Sequence, residues 1–192
     1  GTPNMIIGSN GHIAWGFTNS YGDWSDIIVL ETTADKSQYL TPDGYQDFIK
    51  HKQIIAVKGQ EAVNITVTDT IWGPVIGETA KGDLLAYRWI AHDNAAVNLA
   101  ITDLETANNV EQAIAIAART GMPAQNLIVG DEQGNIGWTI IGPIPQRSTS
   151  FGETPTSWAN GENKWVRLLP PEDYPKLINP KNARLWTANS RV

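Results

Sequence analysis

The chain has 192 residues, of which 41% are hydrophobic and 18% charged, with a formal net charge of -6 and a pI near 5.0. That balance is ordinary for a globular protein and excludes a disordered segment; its scattered Lys and Arg form no stripe that would neutralise phosphates, so nucleic acid is excluded as a partner. No apolar run approaches the roughly 20 residues that span a bilayer, and the absence of cysteine excludes disulfides, thiolate catalysis and zinc-thiolate sites.

In chain order, Met5 to Ile7 and His12 to Phe17 read as two short strands around Gly8-Ser9-Asn10-Gly11, since Asn-Gly tolerates the positive φ of a tight turn. A loop from Thr18 to Ser25 precedes a buried strand, Asp26 to Leu30. Lys50 to Val57 and Ala62 to Thr68 form a hairpin across Lys58-Gly59-Gln60, the second arm alternating Val63, Ile65 and Val67 with polar neighbours. Gly73 to Gly77 and Leu84 to Ile90 continue the strand-rich half. Ala96 to Thr106 and Val110 to Arg119 then have helical period, with Asn109 as N-cap of the second and Gly121 and Pro123 as its stop. Asn126 to Gly130 and Asn135 to Ile141 form a second hairpin, Gly142 to Leu177 is proline-rich loop, and Leu185 to Thr187 is a last short strand. The fold class is α+β, mainly antiparallel strands with a central helix pair. His12, His51 and His92 stand in unrelated contexts and give no metal cluster, and Trp15, Trp72, Trp89 and Trp138 sit in strand patterns as packing residues.

Four segments carry a resemblance. They are Gly8-Ser9-Asn10-Gly11-His12-Ile13-Ala14-Trp15-Gly16-Phe17-Thr18-Asn19 running on to Gly22-Asp23-Trp24-Ser25-Asp26; Trp72-Gly73-Pro74-Val75-Ile76; Pro123-Ala124-Gln125-Asn126 with Asp131-Glu132-Gln133-Gly134-Asn135-Ile136-Gly137 and Gly142-Pro143-Ile144-Pro145-Gln146-Arg147; and Asn179-Pro180 with Thr187-Ala188-Asn189-Ser190-Arg191. In order and spacing they resemble the β-chain of the penicillin acylase family of N-terminal-nucleophile hydrolases. Ser9 departs from the family, which often has His there. The resemblance implies a piece of an αββα sandwich, internal to a longer β-chain and partnered by an α-chain and the rest of the β-chain after the precursor is cut. It also implies export, to the periplasm or beyond, which the absence of cysteine allows.

Enzymes of this kind attack an amide carbonyl with the N-terminal serine of the β-chain, using its own α-amine as base; the amine suits the task because its pKa of about 7.7–8.0 lies near working pH. The resemblance places that serine some tens of residues before Gly1, which has an amine but no hydroxyl. It implies oxyanion donors at the Asn189 side-chain amide and the Asn19 backbone N–H, and an acyl pocket touched by Ile7, Phe17, Tyr21 and Gln125. It further implies a structural calcium site with Asp23 and Asp26 as carboxylate ligands and the Ser25 main-chain carbonyl between them, calcium being a hard ion that takes six to eight oxygens. Taken alone, Asn189 reads first as a turn residue, and the aspartates equally as turn and strand caps. The activity so implied is hydrolysis of a linear amide with release of an apolar acyl group. The alternative is a non-catalytic β-rich module of propeller or carbohydrate-binding type, for which a repeat at about 40–50 residues is expected; the chain has none.

Overall fold

The computed structural model describes residues 4–148 and 153–189; Gly1 and the Ser190-Arg191 end of the fourth segment lie outside them. In chain order come β1 (Gly8–Ser9), β2 (Ile13–Asn19), β3 (Ser25–Val29), β4 (Gln38–Thr41), β5 (Gly44–Asp47), β6 (Ile49–Ile55), β7 (Val63–Thr70), β8 (Gly73–Glu78) and β9 (Leu84–Trp89). After them come α1 (Val110–Ala117), β10 (Gln125–Asp131), β11 (Ile136–Ile141), β12 (Pro145–Arg147), β13 (Trp165–Leu168) and β14 (Lys176–Ile178). The chain divides into two compact units, the first of residues 1–24, 93–146 and 167–192, the second of residues 25–92 and 147–166. The α+β expectation, dominated by antiparallel strands, holds.

In the first unit five strands run in the order β1-β2-β10-β11-β14, each recorded pair antiparallel. One face carries Ile13, Trp15, Leu127, Val129 and Ile141, all buried with Val110, Ala113, Ile114 and Ala117 of α1 in a single cluster. The helix starts where Asn109 Oδ1 accepts from the Gln112 N–H at 2.9 Å while Gln112 Oε1 takes the Asn108 N–H at 2.8 Å, a reciprocal cap. Helix and sheet touch closely because position 137 is glycine: a Cβ there would stand 2.5 Å from Val110 Cγ1 and 3.0 Å from Ile114 Cδ1. On the opposite face Ile128 and Trp138 are directly paired across β10 and β11, and Leu177 pairs with Trp138 from β14; these remain half-buried or exposed.

Polar side chains lock this sheet. Asp131 Oδ1 accepts from the N–H groups of Gln133 (3.0 Å) and Asn135 (2.9 Å), and Oδ2 accepts from the first N–H of α1, at Val110, at 3.3 Å. Asn135 and Asn179 join side chain to side chain at 2.8 Å, and Asn179 Oδ1 accepts the Ile136 N–H at 2.9 Å. The third and fourth sequence segments thus meet in one network joining hairpin, helix and edge strand.

Four sequence expectations are corrected. Met5 to Ile7 is not a strand; β1 is Gly8–Ser9, because Asn10 turns the chain by accepting from the N–H groups of His12 and Ile13, both at 2.9 Å, and donating to Ala107 O at 2.7 Å. The first member of the helix pair tightens to 3-10 turns at Ala100–Thr106, since the Asn98 backbone and side chain are committed to Gly121 and Arg119 rather than to a helical ladder. The proline-rich stretch contains β12, β13 and β14. Leu185 to Thr187 joins no sheet: Asn179 and Ala183 adopt positive φ of 47° and 51° and turn the chain away.

The second unit has the strand order β3-β9-β8-β7-β6, with β4 and β5 as a separate hairpin. Its core gathers Ile28, Leu30, Tyr39, Ala86 and Trp158. Tyr39 lies tilted against Phe48 at 4.9 Å between centroids and meets Trp72 edge-on at 5.8 Å, and its hydroxyl accepts the Ile71 N–H at 2.9 Å. Gly73, at φ 136°, lies where a Cβ would be 2.2 Å from Tyr87 O, which accounts for the Trp72-Gly73 pair.

Candidate functional site

The site forms at the end of β2. Asn19 is that strand's last residue, and its backbone N–H donates to Asn189 Oδ1 at 2.7 Å. The two candidate oxyanion donors are therefore neighbours, closed on one another. Tyr21 Oη donates to Asn189 O at 3.4 Å, and Ser20 Oγ to Ala124 O at 2.6 Å, so the turn after β2 is held from both sides.

Beneath this pair lies a residue that sequence reasoning did not single out. Asn126 on β10 pairs directly with Thr18; its Nδ2 donates to Asn19 O at 2.9 Å and to Thr18 Oγ1 at 3.2 Å, and its Oδ1 accepts from Trp138 Nε1 at 3.0 Å. Trp138, read from sequence as packing, thus has a polar task too. Asn126 and Trp138 wall a largely apolar cavity of about 320 Å³ together with Leu177, Leu185, Trp186, Thr187 and Ala188, the last four being the run that leads into Asn189. The only sequence signal for Asn126 was its place in Pro123-Ala124-Gln125-Asn126.

The four acyl-pocket candidates do not gather on one face. Phe17 packs against the helix-side cluster, and the register puts Gln125 on that same face, two residues before Leu127. Ile7 lies over Gly16 on the other face, with its Cγ2 3.8 Å from where a Gly16 Cβ would stand. Ile7 and Tyr21 are each 62% exposed.

In the second unit Asp26 is buried, its side chain 3% exposed. Its Oδ2 accepts from Arg147 Nε (3.1 Å), Arg147 Nη2 (2.8 Å) and Trp165 Nε1 (2.5 Å), while Oδ1 is buried without a hydrogen-bond partner. An orphaned buried carboxylate oxygen suits one ligand position of a hard cation; the guanidinium already balances the carboxylate charge. Asp23 belongs to the first unit and Ser25 to the second. Among the described residues no three His, Cys, Asp or Glu side chains cluster as a metal site.

The four sequence segments and the helix-backed antiparallel sheet that carries three of them point to one hydrolase family. The penicillin amidase family profile matches residues 1–192, and the chain belongs to that family. It is 27% identical, over all of its length and 24% of that protein's, to acyl-homoserine lactone acylase QuiP of Pseudomonas aeruginosa. It is 29% identical to penicillin G acylase of Escherichia coli over 98% of this chain and 22% of that one. The structure of a thermostable penicillin G acylase from Alcaligenes faecalis superposes with a TM-score of 0.86 at 25% identity, over 99% of this chain and 35% of that one. The chain spans about a quarter of the length of the curated relatives it matches. No helix among the described residues is long and apolar enough to cross a membrane.

Proposed function

We propose that the protein to which this chain belongs hydrolyses a linear carbon–nitrogen amide bond and releases an apolar acyl group. The observation that carries the reading is the contact of the Asn19 N–H with Asn189 Oδ1 at 2.7 Å. In this reading the Asn19 N–H and the Asn189 side-chain amide would serve as two uncharged donors to one oxygen, as a tetrahedral intermediate requires. The names of the relatives, penicillin acylases and acyl-homoserine lactone acylases, point to the same chemistry.

In this reading an N-terminal serine outside these residues attacks the carbonyl, its α-amine taking the proton and later giving it to the departing amine. The carbonyl oxygen becomes the oxyanion and takes the Asn19 N–H from Asn189 Oδ1. Asn189 turns about its side chain so that Nδ2 donates to the same oxygen. An amide and a peptide N–H favour the developing charge without pairing to a charged ground state. Ile7 and Tyr21, large and exposed, would meet the acyl chain, with Phe17 and Gln125 shaping the sheet behind them. Substrates of this class include β-lactam side-chain amides, acyl-homoserine lactones and N-acyl amino acids. The partners are the amide substrate, an α-chain and the remaining β-chain of a self-cut, exported precursor. The open sheet face around Ile128, Trp138 and Leu177 would receive the second sheet of the αββα sandwich. Asp26 Oδ1 would be one ligand of a structural calcium ion, Asp23 and the Ser25 carbonyl others; such an ion would supply positive charge and a cross-link between loop segments.

The test is an intact mass spectrum of the purified full-length parent, followed by amine release from a panel of N-acyl amides. Two chains, one beginning at serine, with turnover of at least one amide, support the reading. A single uncut chain that hydrolyses none of them refutes it.

A further inference from the structure

We propose that Asn126 is a positioning residue for the Asn19–Asn189 donor pair, and that Trp138 sets its orientation; the proposal rests on the oxyanion reading given above. An asparagine amide has a donor end and an acceptor end that can exchange by a half-turn, so it positions a neighbour only if something fixes its sense. Here something does. The indole Nε1–H of Trp138 can only donate, and it faces Asn126 Oδ1 at 3.0 Å. The other end must then present N–H groups, and it meets Asn19 O at 2.9 Å and Thr18 Oγ1 at 3.2 Å. Both contacted residues flank the Thr18–Asn19 peptide, which carries the N–H aimed at Asn189 Oδ1.

The placement has a second consequence. Asn19 ends β2 and pairs with Gln125 in the last rung of the β2–β10 ladder. A strand end frays, and a donor on a frayed peptide loses the fixed aim that makes it effective. Asn126 reinforces that last rung with a side-chain bond to Asn19 O. The same residue walls the cavity formed with Leu185, Trp186, Thr187 and Ala188, so the segment delivering Asn189 and the peptide delivering the Asn19 N–H share one support. Asn126 touches neither substrate nor the reacting atoms; it acts through Asn19.

The experiment uses the full-length parent, with kcat and KM measured on an amide it hydrolyses. Asn126→Asp keeps the shape and the acceptor for Trp138 but puts an oxygen against Asn19 O. We expect kcat to fall roughly 10- to 100-fold with KM within about threefold, because donor aim and not ground-state binding is lost. Trp138→Phe should lower kcat less, and should lower it no further in the Asn126→Asp background, since its hold on the Asn19 peptide runs through Asn126. A purely structural role would give additive losses instead. Wild-type kcat in Asn126→Asp, while Asn189→Ala loses activity, overturns this proposal and leaves the oxyanion reading standing. Full activity in Asn189→Ala removes the reading beneath both. If Asn126→Asp does not fold, Trp138→Phe decides alone: an unchanged kcat overturns the proposal, a lowered kcat at constant KM supports it.

Discussion

The backbone N–H of Asn19 donates to the side chain of Asn189, 170 residues away, at 2.7 Å. The two belong to different sequence segments, one a strand end and one a bend, and neither suggests the other locally. Their meeting brings the main chain of one asparagine and the side chain of the other to one point. It also separates their roles, because Asn19 contributes its main chain and Asn189 its amide.

That separation predicts opposite responses at position 19. In the full-length parent Asn19→Ala keeps the N–H, and its kcat should stay within about threefold of wild type. Asn19→Pro removes the N–H and should lower kcat by about 10²–10³. Steady-state kinetics with one amide substrate, beside a circular dichroism check of folding, measures both.

Asp131 contributes to the acid limb of stability. Burial raises its pKa, but the hydrogen bonds from Asn135, Val110 and Gln133 together outweigh it and hold the carboxyl below its ordinary 3.8. A folded pKa below the unfolded one means the stabilisation is fully present above about pH 3.9 and is lost as pH falls through the folded value. Asn cannot lose a charge, so Asp131→Asn should be less stable than wild type at pH 7 and should flatten the decline below pH 4. Denaturant melts from pH 2.5 to 7 test it.

At Gly137 helix and sheet approach too closely for a side chain. Gly137→Ala would drive a methyl against Val110 and Ile114 of α1. The expected loss is about 1–3 kcal/mol, the usual cost of overfilling a packed core. A urea titration followed by Trp fluorescence reads it, and a variant as stable as wild type would contradict the helix placement.

Asp26 and Arg147 are buried partners, their side chains 3% and 12% exposed. Arg147→Met should destabilise by about 3–5 kcal/mol, because the Asp26 charge is left without its counterion. If Asp26 Oδ1 also takes calcium, added calcium should raise the melting temperature of the wild-type parent and chelator should lower it.

Much of the fold was legible where local chemistry and period agreed. Asp131 and Gly134 mark the tight turn of the β10–β11 hairpin, and Asn109 marks the start of α1. The β4–β5 hairpin carried a signal that was passed over, the Thr41-Pro42-Asp43-Gly44 turn, with Gly44 at φ 105°. The 3-10 turns at Ala100–Thr106 were not legible, because their helical period is overridden by the clamp of Asn98 on Gly121, a contact across 23 residues. The role of Asn126 was hidden for the same reason: its meaning lies in pairing with Thr18, 108 residues earlier. Pairing across such separations is a product of sheet register, which no local pattern states.

The most direct test of the account is kcat for Asn189→Ala in the full-length parent, with processing checked by intact mass. The account predicts correctly cut chains and a kcat about 10²–10³ below wild type, with KM little changed. A correctly cut variant that turns over at the wild-type rate would contradict it and return Asn189 to the part of a turn residue.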